Sequence, residues 1–274
     1  MALDEAEQSL RDGDLDTALA RLQEAVRRDA ADAALRVFLF QLLCVRGEWE
    51  RAQTQLKVAS DLDAKALPMA QMYGEAIRCE LFRREVFAGR RSPLVFGEPD
   101  AWIALLVESV QRLAGDREGA AALRAEAFER APASAGTIDG QPFEWIADAD
   151  MRVGPVCEAV INGRYYWVPF ARLAAIDLDA PVDLRDVVWM PARFKFANGG
   201  DAVGLIPTRY PGSESDADAR LRLARQTVWD EVAPDTFTGR GQRMWTTDAG
   251  EYPLMDVRQL IFQPASTATP EAPQ

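Results

Sequence analysis

The sequence predicts a multi-domain chain of two structural classes. Stacked helices should form an α-α superhelix over residues 1–134, and an α+β domain with a twisted, mostly antiparallel sheet should occupy residues 138–264. A pattern of glycine and alanine recurs every 34 residues in the first part. This helical periodicity stops at the small residues 131–136. Beyond them apolar and polar residues alternate, which is typical of strands.

The repeat consists of three segments that each open with a glycine followed by an acidic residue. Gly13 and Gly47 are 34 residues apart, and Gly115 follows after twice that spacing. Alanine recurs at the same two places in every segment: Ala18, Ala52 and Ala120, then Ala25, Ala59 and Ala127. The glycine ends one helix, and the alanines let the next helix pack closely. Period and pattern predict tetratricopeptide-like (TPR-like) repeats, which stack because one repeat cannot bury its own apolar face.

Two helical segments, 34–46 and 67–87, carry more large apolar residues than one packing face needs. A superhelical groove can bind a partner helix through apolar anchors, and methionine and aromatic side chains suit that role. Six residues are therefore candidate partner-binding residues: Phe38, Phe40, Met69, Met72, Tyr73 and Phe82. The alternative is that these side chains pack against the second domain.

The second part begins with a strong hairpin signal. Residues 156–161 and 164–168 flank Asn162-Gly163, a dipeptide typical of a type I′ turn. Further strands are expected at 187–190, 194–196, 202–206 and 255–262.

One helix is predicted among these strands. Ser215 and Asp218 are spaced like a capping box, and Leu221, Ala224 and Val228 would then share one helical face. Residues 265–274 hold no large apolar side chain and are expected to form a disordered tail.

Charge and residue content narrow the possible functions. The formal net charge is −12, and acidic residues exceed basic ones in both halves, so neither nucleic acid nor an anionic membrane is an expected partner. The chain has no histidine, which excludes His-dependent catalytic triads and His-ligated metal sites. We expect Cys44, Cys79 and Cys157 to be buried free thiols. The first residues lack a secretory signal pattern, so a cytoplasmic location is expected. Neither a cofactor nor a bound metal is predicted.

The densest polar cluster is Asp148, Asp150 and Arg152, which would share one face of an extended strand. Such a cluster is consistent with a structural ion-pair network, a partner-binding face, or a metal or catalytic site. Two arginine pairs, Arg83-Arg84 and Arg90-Arg91, are expected at a solvated helix end.

Several runs of the second part resemble one bacterial family. They are 143–155 (FEWIADADMRVGP), 162–165 (NGRY), 167–170 (WVPF), 183–189 (DLRDVVW), 206–213 (IPTRYPGS) and 241–243 (GQR). Together with Glu158, Thr227 and Trp229 they are similar to the ImpE/TagJ (SciE-type) family of type VI secretion accessory proteins. Met151 departs from the pattern, since a small polar residue is expected there. The resemblance covers residues ~4 to ~263 and marks a polar and aromatic set: Asp148, Asp150, Arg152, Glu158, Trp189, Arg209, Tyr210, Trp229 and Arg243.

The resemblance implies a non-enzymatic, cytoplasmic adaptor of a type VI secretion system. Its partner would be the N-terminal helix of the small contractile-sheath subunit, TssB, with a link to sheath assembly or to recycling by the ClpV ATPase. Two alternatives stay open. One is a carboxylate-dependent, metal-assisted hydrolase centred on Asp148, Asp150, Glu158 and Arg209. The other is a holdase chaperone that protects sheath subunits.

Overall fold

A computed structural model describes residues 2–233 and 235–264. Its first half contains seven α-helices. Their bounds are α1 Ala2–Arg11, α2 Leu15–Arg28, α3 Ala33–Val45, α4 Trp49–Leu62, α5 Leu67–Phe87, α6 Ala101–Arg112 and α7 Arg117–Arg130. A two-residue strand, β1 (Leu94–Val95), lies between α5 and α6. The predicted fold of this part, stacked helical repeats, is confirmed, and residues 67–87 form a single long helix.

The repeated glycines and alanines occupy the helix ends and helix contacts that the sequence pattern predicts. Gly13 and Gly47 end α1 and α3 with positive φ angles of 80° and 70°, a conformation that glycine adopts at little cost. All six repeat alanines are buried between helices: Ala18, Ala25, Ala52, Ala59, Ala120 and Ala127. Small side chains at these positions therefore set the close spacing of α2, α4 and α7 against their neighbours.

The second half is built on strands. Their bounds are β2 Gly136–Ile138, β3 Gln141–Phe143, β4 Ile146–Asp148, β5 Val156–Ile161, β6 Arg164–Pro169, β7 Leu173–Leu178, β8 Trp189–Phe196, β9 Asp201–Pro207, β10 Thr227–Ala233, β11 Thr236–Gly241, β12 Met244–Thr247, β13 Gly250–Pro253 and β14 Gln259–Phe262. A nine-stranded sheet has the order β1-β6-β5-β9-β8-β7-β14-β2-β3. Two smaller sheets contain β13-β12-β4 and β10-β11. Every pairing is antiparallel except that of β1 with β6, so the predicted sheet type is confirmed.

Strand β5 lies at the centre of the molecule, and all six of its residues are buried. Val156 and Val160 pack into a core that also contains the helices, whereas Cys157, Ala159 and Ile161 pack into a second core on the other face. Because successive side chains of a strand point to opposite faces, one strand serves both cores. The sheet is thus a layer between the helices and the second core.

The helical and sheet-containing regions share the first of these cores. It includes Leu43 of α3 and Ile77 of α5 together with Trp167 of β6 and Trp189 of β8. Strand β1, which belongs to the helical region, extends the nine-stranded sheet at its β6 edge. No helix among the described residues has both the length and the hydrophobicity required to cross a bilayer.

The segment after Ser215 differs from the sequence-based expectation. Asp218 does cap a helix, since its carboxylate accepts the Arg220 N–H at 2.8 Å, but this helix (α8, Ala219–Arg222) has only four residues. The expected helical face does not form, because Val228 lies in β10.

Two further expectations at strand boundaries were wrong. Residues 187–190 and 194–196 do not form two strands, because 189–196 is the single strand β8. Residues 254–256 are a short 3₁₀ helix before β14. The predicted tail, 265–274, lies outside the described residues.

Candidate functional site

A cluster of buried charges lies where α5, β4, β5 and β12 meet, and Glu158 of β5 is its centre. Its carboxylate accepts hydrogen bonds from Arg83 Nε at 2.6 Å and Arg83 Nη2 at 3.0 Å. The Tyr165 hydroxyl and a guanidinium N–H of Arg243 also donate to it. The side chains of Glu158, Arg83 and Arg243 are almost completely buried. We call Arg83, Glu158, Arg243 and Asp148 the buried charge network.

Asp148 and Asp150 belong to different ion pairs. Strand β4 ends at Asp148, and residues 149–154 turn, so the two carboxylates do not lie on one face of a strand as the sequence suggested. The Asp148 carboxylate pairs with Arg243. The Asp150 carboxylate pairs with Arg152 and accepts the Gly239 N–H at 3.0 Å. Arg152 therefore neutralises Asp150 alone.

Burial and the neighbouring arginines shift the acidities in opposite directions. Burial opposes ionisation of Glu158, but the charges of Arg83 and Arg243 outweigh it and lower the pKa of Glu158 to about 2. Burial dominates at Asp148 and raises its pKa to about 6, against the attraction of Arg243 and with repulsion from Asp150. Asp148 is therefore the carboxylate of the buried charge network that takes up a proton first as the pH falls.

The remaining members of the polar and aromatic set adjoin this network. The Arg209 carbonyl accepts a hydrogen bond from Arg83 Nη2 at 3.0 Å, while the Arg209 guanidinium donates to the carbonyls of Val45 (2.8 Å) and Cys44 (3.2 Å) at the end of α3. The Cys44 carbonyl also accepts the Gly47 N–H at 3.1 Å. Carbonyls in the last turn of a helix carry partial negative charge, so a cation is well placed there. Arg209 therefore ties α3 to the strands.

The three aromatic members of the set lie on two sides of the buried charge network. Tyr210 lies against the Arg243 guanidinium, whose carbon is 5.3 Å from the ring centroid, and Trp229 packs on Tyr210 with centroids 5.6 Å apart. Trp189 donates its indole N–H to Glu80 at 3.2 Å. Trp229 is 37% exposed, whereas Trp189 and Tyr210 are buried. The set is thus one contiguous group, with Trp229 at the surface.

Two members of this site were missed by the sequence analysis. Arg83 was expected on a solvated helix end together with Arg84, but Arg83 is buried and pairs with Glu158, and only Arg84 is exposed. Glu80, one turn before it, lies 3.4 Å from Arg83 Nη1 and bonds Trp189. The i, i+3 spacing of these charges on α5 was the available signal. It did not reveal that this face of the helix meets a sheet.

The six candidate partner-binding residues divide by exposure. Phe40 and Tyr73 are fully buried, and the Tyr73 ring lies 5.7 Å from Trp189, so neither can anchor a partner on the surface. Phe82 packs on Tyr165 at 6.2 Å. Phe38 and Met69 are half-buried, and Met72 is exposed. Much of the inner surface of the helical stack is therefore covered by the protein's own sheet.

The site holds no cluster typical of a metal centre. Within 2–233 and 235–264, no group of three or more cysteine, aspartate or glutamate side chains is placed to share an ion. The three thiols are buried, and burial raises the pKa of Cys79 to about 11. Chemically, the buried charge network is suited to joining α5 to the sheet, since each of its carboxylates has an arginine partner.

Comparisons with known proteins agree with this architecture. The family model described as ImpE protein matches residues 140–261, and a tetratricopeptide repeat model matches residues 9–73. The type VI secretion system accessory component TagJ of Pseudomonas aeruginosa is 52% identical over 260 residues, covering 94% of this chain and 91% of that protein. A crystal structure of a Vibrio parahaemolyticus protein superposes with a TM-score of 0.86 at 27% identity, covering 94% of this chain and 97% of the other. The fold, the shared motifs and this identity show that the chain belongs to the ImpE/TagJ family of type VI secretion accessory proteins.

Proposed function

We propose that this protein is a non-enzymatic cytoplasmic adaptor of a type VI secretion system. In this proposal it binds the N-terminal helix of the small sheath subunit, TssB, and thereby acts in sheath assembly or in recycling by ClpV. The observation that carries the proposal is the 52% identity to the accessory component TagJ across nearly the whole chain. The stacked helical hairpins support it, because such repeats commonly present a groove to a peptide or helix.

The charge arrangement favours an adaptor over a carboxylate-dependent hydrolase. A general acid or base must reach its substrate, but Asp148, Asp150 and Glu158 are buried, and each is paired with arginine. The Arg209 guanidinium is occupied by backbone carbonyls.

The hydrolase hypothesis is tested by dialysing the purified full chain against EDTA and measuring peptide binding and bound metal. Unchanged binding supports the adaptor, whereas stoichiometric Mg²⁺, Mn²⁺ or Zn²⁺ lost on Asp148→Asn substitution contradicts it.

The central experiment titrates a synthetic peptide of the TssB N-terminal helix from the same bacterium into the full-length protein by calorimetry. A 1:1 complex is the expected result. The control peptide has the same composition in scrambled order, so it keeps the charge but loses the apolar stripe. Absence of binding to the first peptide refutes the proposal. Equal binding of both peptides would favour the holdase alternative, because a holdase recognises exposed apolar residues without a defined order.

A further inference from the structure

The inner surface of the helical stack is largely filled by the protein itself. Phe40 and Tyr73 pack into the shared core, and the Arg185 guanidinium lies 4.9 Å from the Tyr73 ring centroid. The segment that carries Arg185 and Trp189 therefore lies where a peptide lies in a free repeat groove. A partner must use a part of the surface that this segment leaves open.

One open cleft remains at the amino-terminal end of the stack. It lies between α1, α3 and the loop 179–184, and its volume is about 860 Å³. We call it the α1–α3 cleft. Its apolar wall includes Leu10, Leu35, Val37, Phe38 and Leu184. At its rim, Val182 is 85% exposed, the most exposed large apolar side chain among the described residues.

The rim of the cleft is acidic. Glu7, Asp32 and Asp183 line it, and Arg11, which lies 3.8 Å from Glu7, is the single basic side chain among the lining residues. Asp183 also pairs with Arg185, so the three carboxylates exceed these two guanidinium groups by one. A partner with basic residues beside an apolar stripe is therefore complementary, and attraction speeds its approach. A second copy of this chain is a poor occupant, because the formal charge of −12 makes two copies repel each other.

We infer that the α1–α3 cleft docks one amphipathic helix that carries lysine or arginine beside its apolar face. A helix suits the cleft because α3 lines it from Ala34 to Gln41, about two helical turns, and anchors spaced i, i+3, i+4 and i+7 lie along one stripe. Phe38 contacts that stripe from the floor, and Val182 covers it from the rim. This inference rests on the proposed function, in which the occupant is the N-terminal helix of TssB.

The test compares two exposed valines in the full chain. Val182→Asn replaces the apolar side chain at the cleft with a neutral polar one, whereas Val203→Asn, the matched control, makes the same change on β9, where Val203 is 67% exposed. Both variants should melt like the parent protein, because neither side chain is buried. The TssB peptide should bind Val182→Asn at least tenfold more weakly, because the apolar contact at the rim is lost, and should bind Val203→Asn with unchanged affinity. Glu7→Lys should weaken binding a few-fold, and the loss should shrink as salt is added.

The outcomes separate this inference from the proposed function. If the unaltered protein does not bind the peptide, the proposed function fails. If the unaltered protein binds and Val182→Asn binds equally well, the cleft is not the docking site, whatever Glu7→Lys does. A second groove, lined by α4 and α5 around Gly74, then becomes the site to examine. Gly74→Leu would fill that groove, since a Cβ at Gly74 meets no atom within 4 Å. If the cleft is the docking site, Gly74→Leu should leave the affinity unchanged.

Discussion

Replacing Glu158 with glutamine tests whether the buried charge network holds the helices to the sheet. Glutamine keeps the size of the side chain but removes its charge. Arg83 and Arg243 would then both be buried, and Arg83 would lose its main anionic partner. Breaking a buried ion pair by removing one partner costs about 3–5 kcal/mol. For a protein of this size, 1 kcal/mol corresponds to roughly 2–4 °C in melting temperature.

We therefore expect Glu158→Gln to melt roughly 6–20 °C lower than the parent protein at pH 7.5, as measured by circular dichroism. The control is Glu126→Gln on α7, which breaks the exposed Glu126–Arg130 pair and should leave the melting temperature nearly unchanged. The reasoning is refuted if Glu158→Gln melts with the control. The hydrogen bonds from Arg83, Arg243 and Tyr165 would then account for the attachment without the charge of Glu158.

The remaining predictions concern pH, backbone strain and thiol exposure. The folded-state pKa of Asp148 is raised to about 6, so ionisation of this carboxyl destabilises the folded protein as the pH rises through 6. The free energy of unfolding of the parent protein should therefore increase when the pH is lowered from 7.5 to 5.5. Asp148→Asn should lack that increase in denaturant titrations. Gly47→Ala should destabilise more than Gly13→Ala in the same titrations, because both glycines have positive φ but the new Cβ would lie 2.5 Å from Glu214 Cγ only at Gly47. Cys79 should not react with a thiol reagent until the protein unfolds, and rapid labelling under native conditions would contradict its burial.

The sequence predicted the structure correctly where a short local pattern determines it. The 34-residue repeat identified the helical hairpins, because glycine at a helix end and alanine at a helix contact are local requirements. The Asn162-Gly163 turn identified the β5–β6 hairpin, since the left-handed conformation at both residues selects those side chains. Both features depend on neighbours in the chain, and both were confirmed.

The expectations that failed depended on contacts distant in sequence. Val228 was assigned to a helix because its spacing from Leu221 and Ala224 suits one, but pairing with Arg240 places it in a strand. Arg83 was assigned to solvent because charged helix residues usually are, yet its partner is 75 residues away in the chain. The sequence left open whether the apolar faces of α3 and α5 meet a partner or the second domain. It could not decide between these for Phe40 and Tyr73, which the structure places in the shared core.

Strand β1 limits where the helices of one relative could be joined to the sheet of another. Leu94 and Val95 are encoded among the helices but pair with Tyr166 and Trp167. A hybrid that joins the repeats of one relative to the sheet of another at residue 135 would therefore mismatch this edge. It would also place a foreign residue opposite Glu158 if α5 did not supply Arg83. Keeping Arg83 and β1 together with the sheet to which they pair preserves these contacts, so the unit that folds together crosses the apparent boundary between helices and strands.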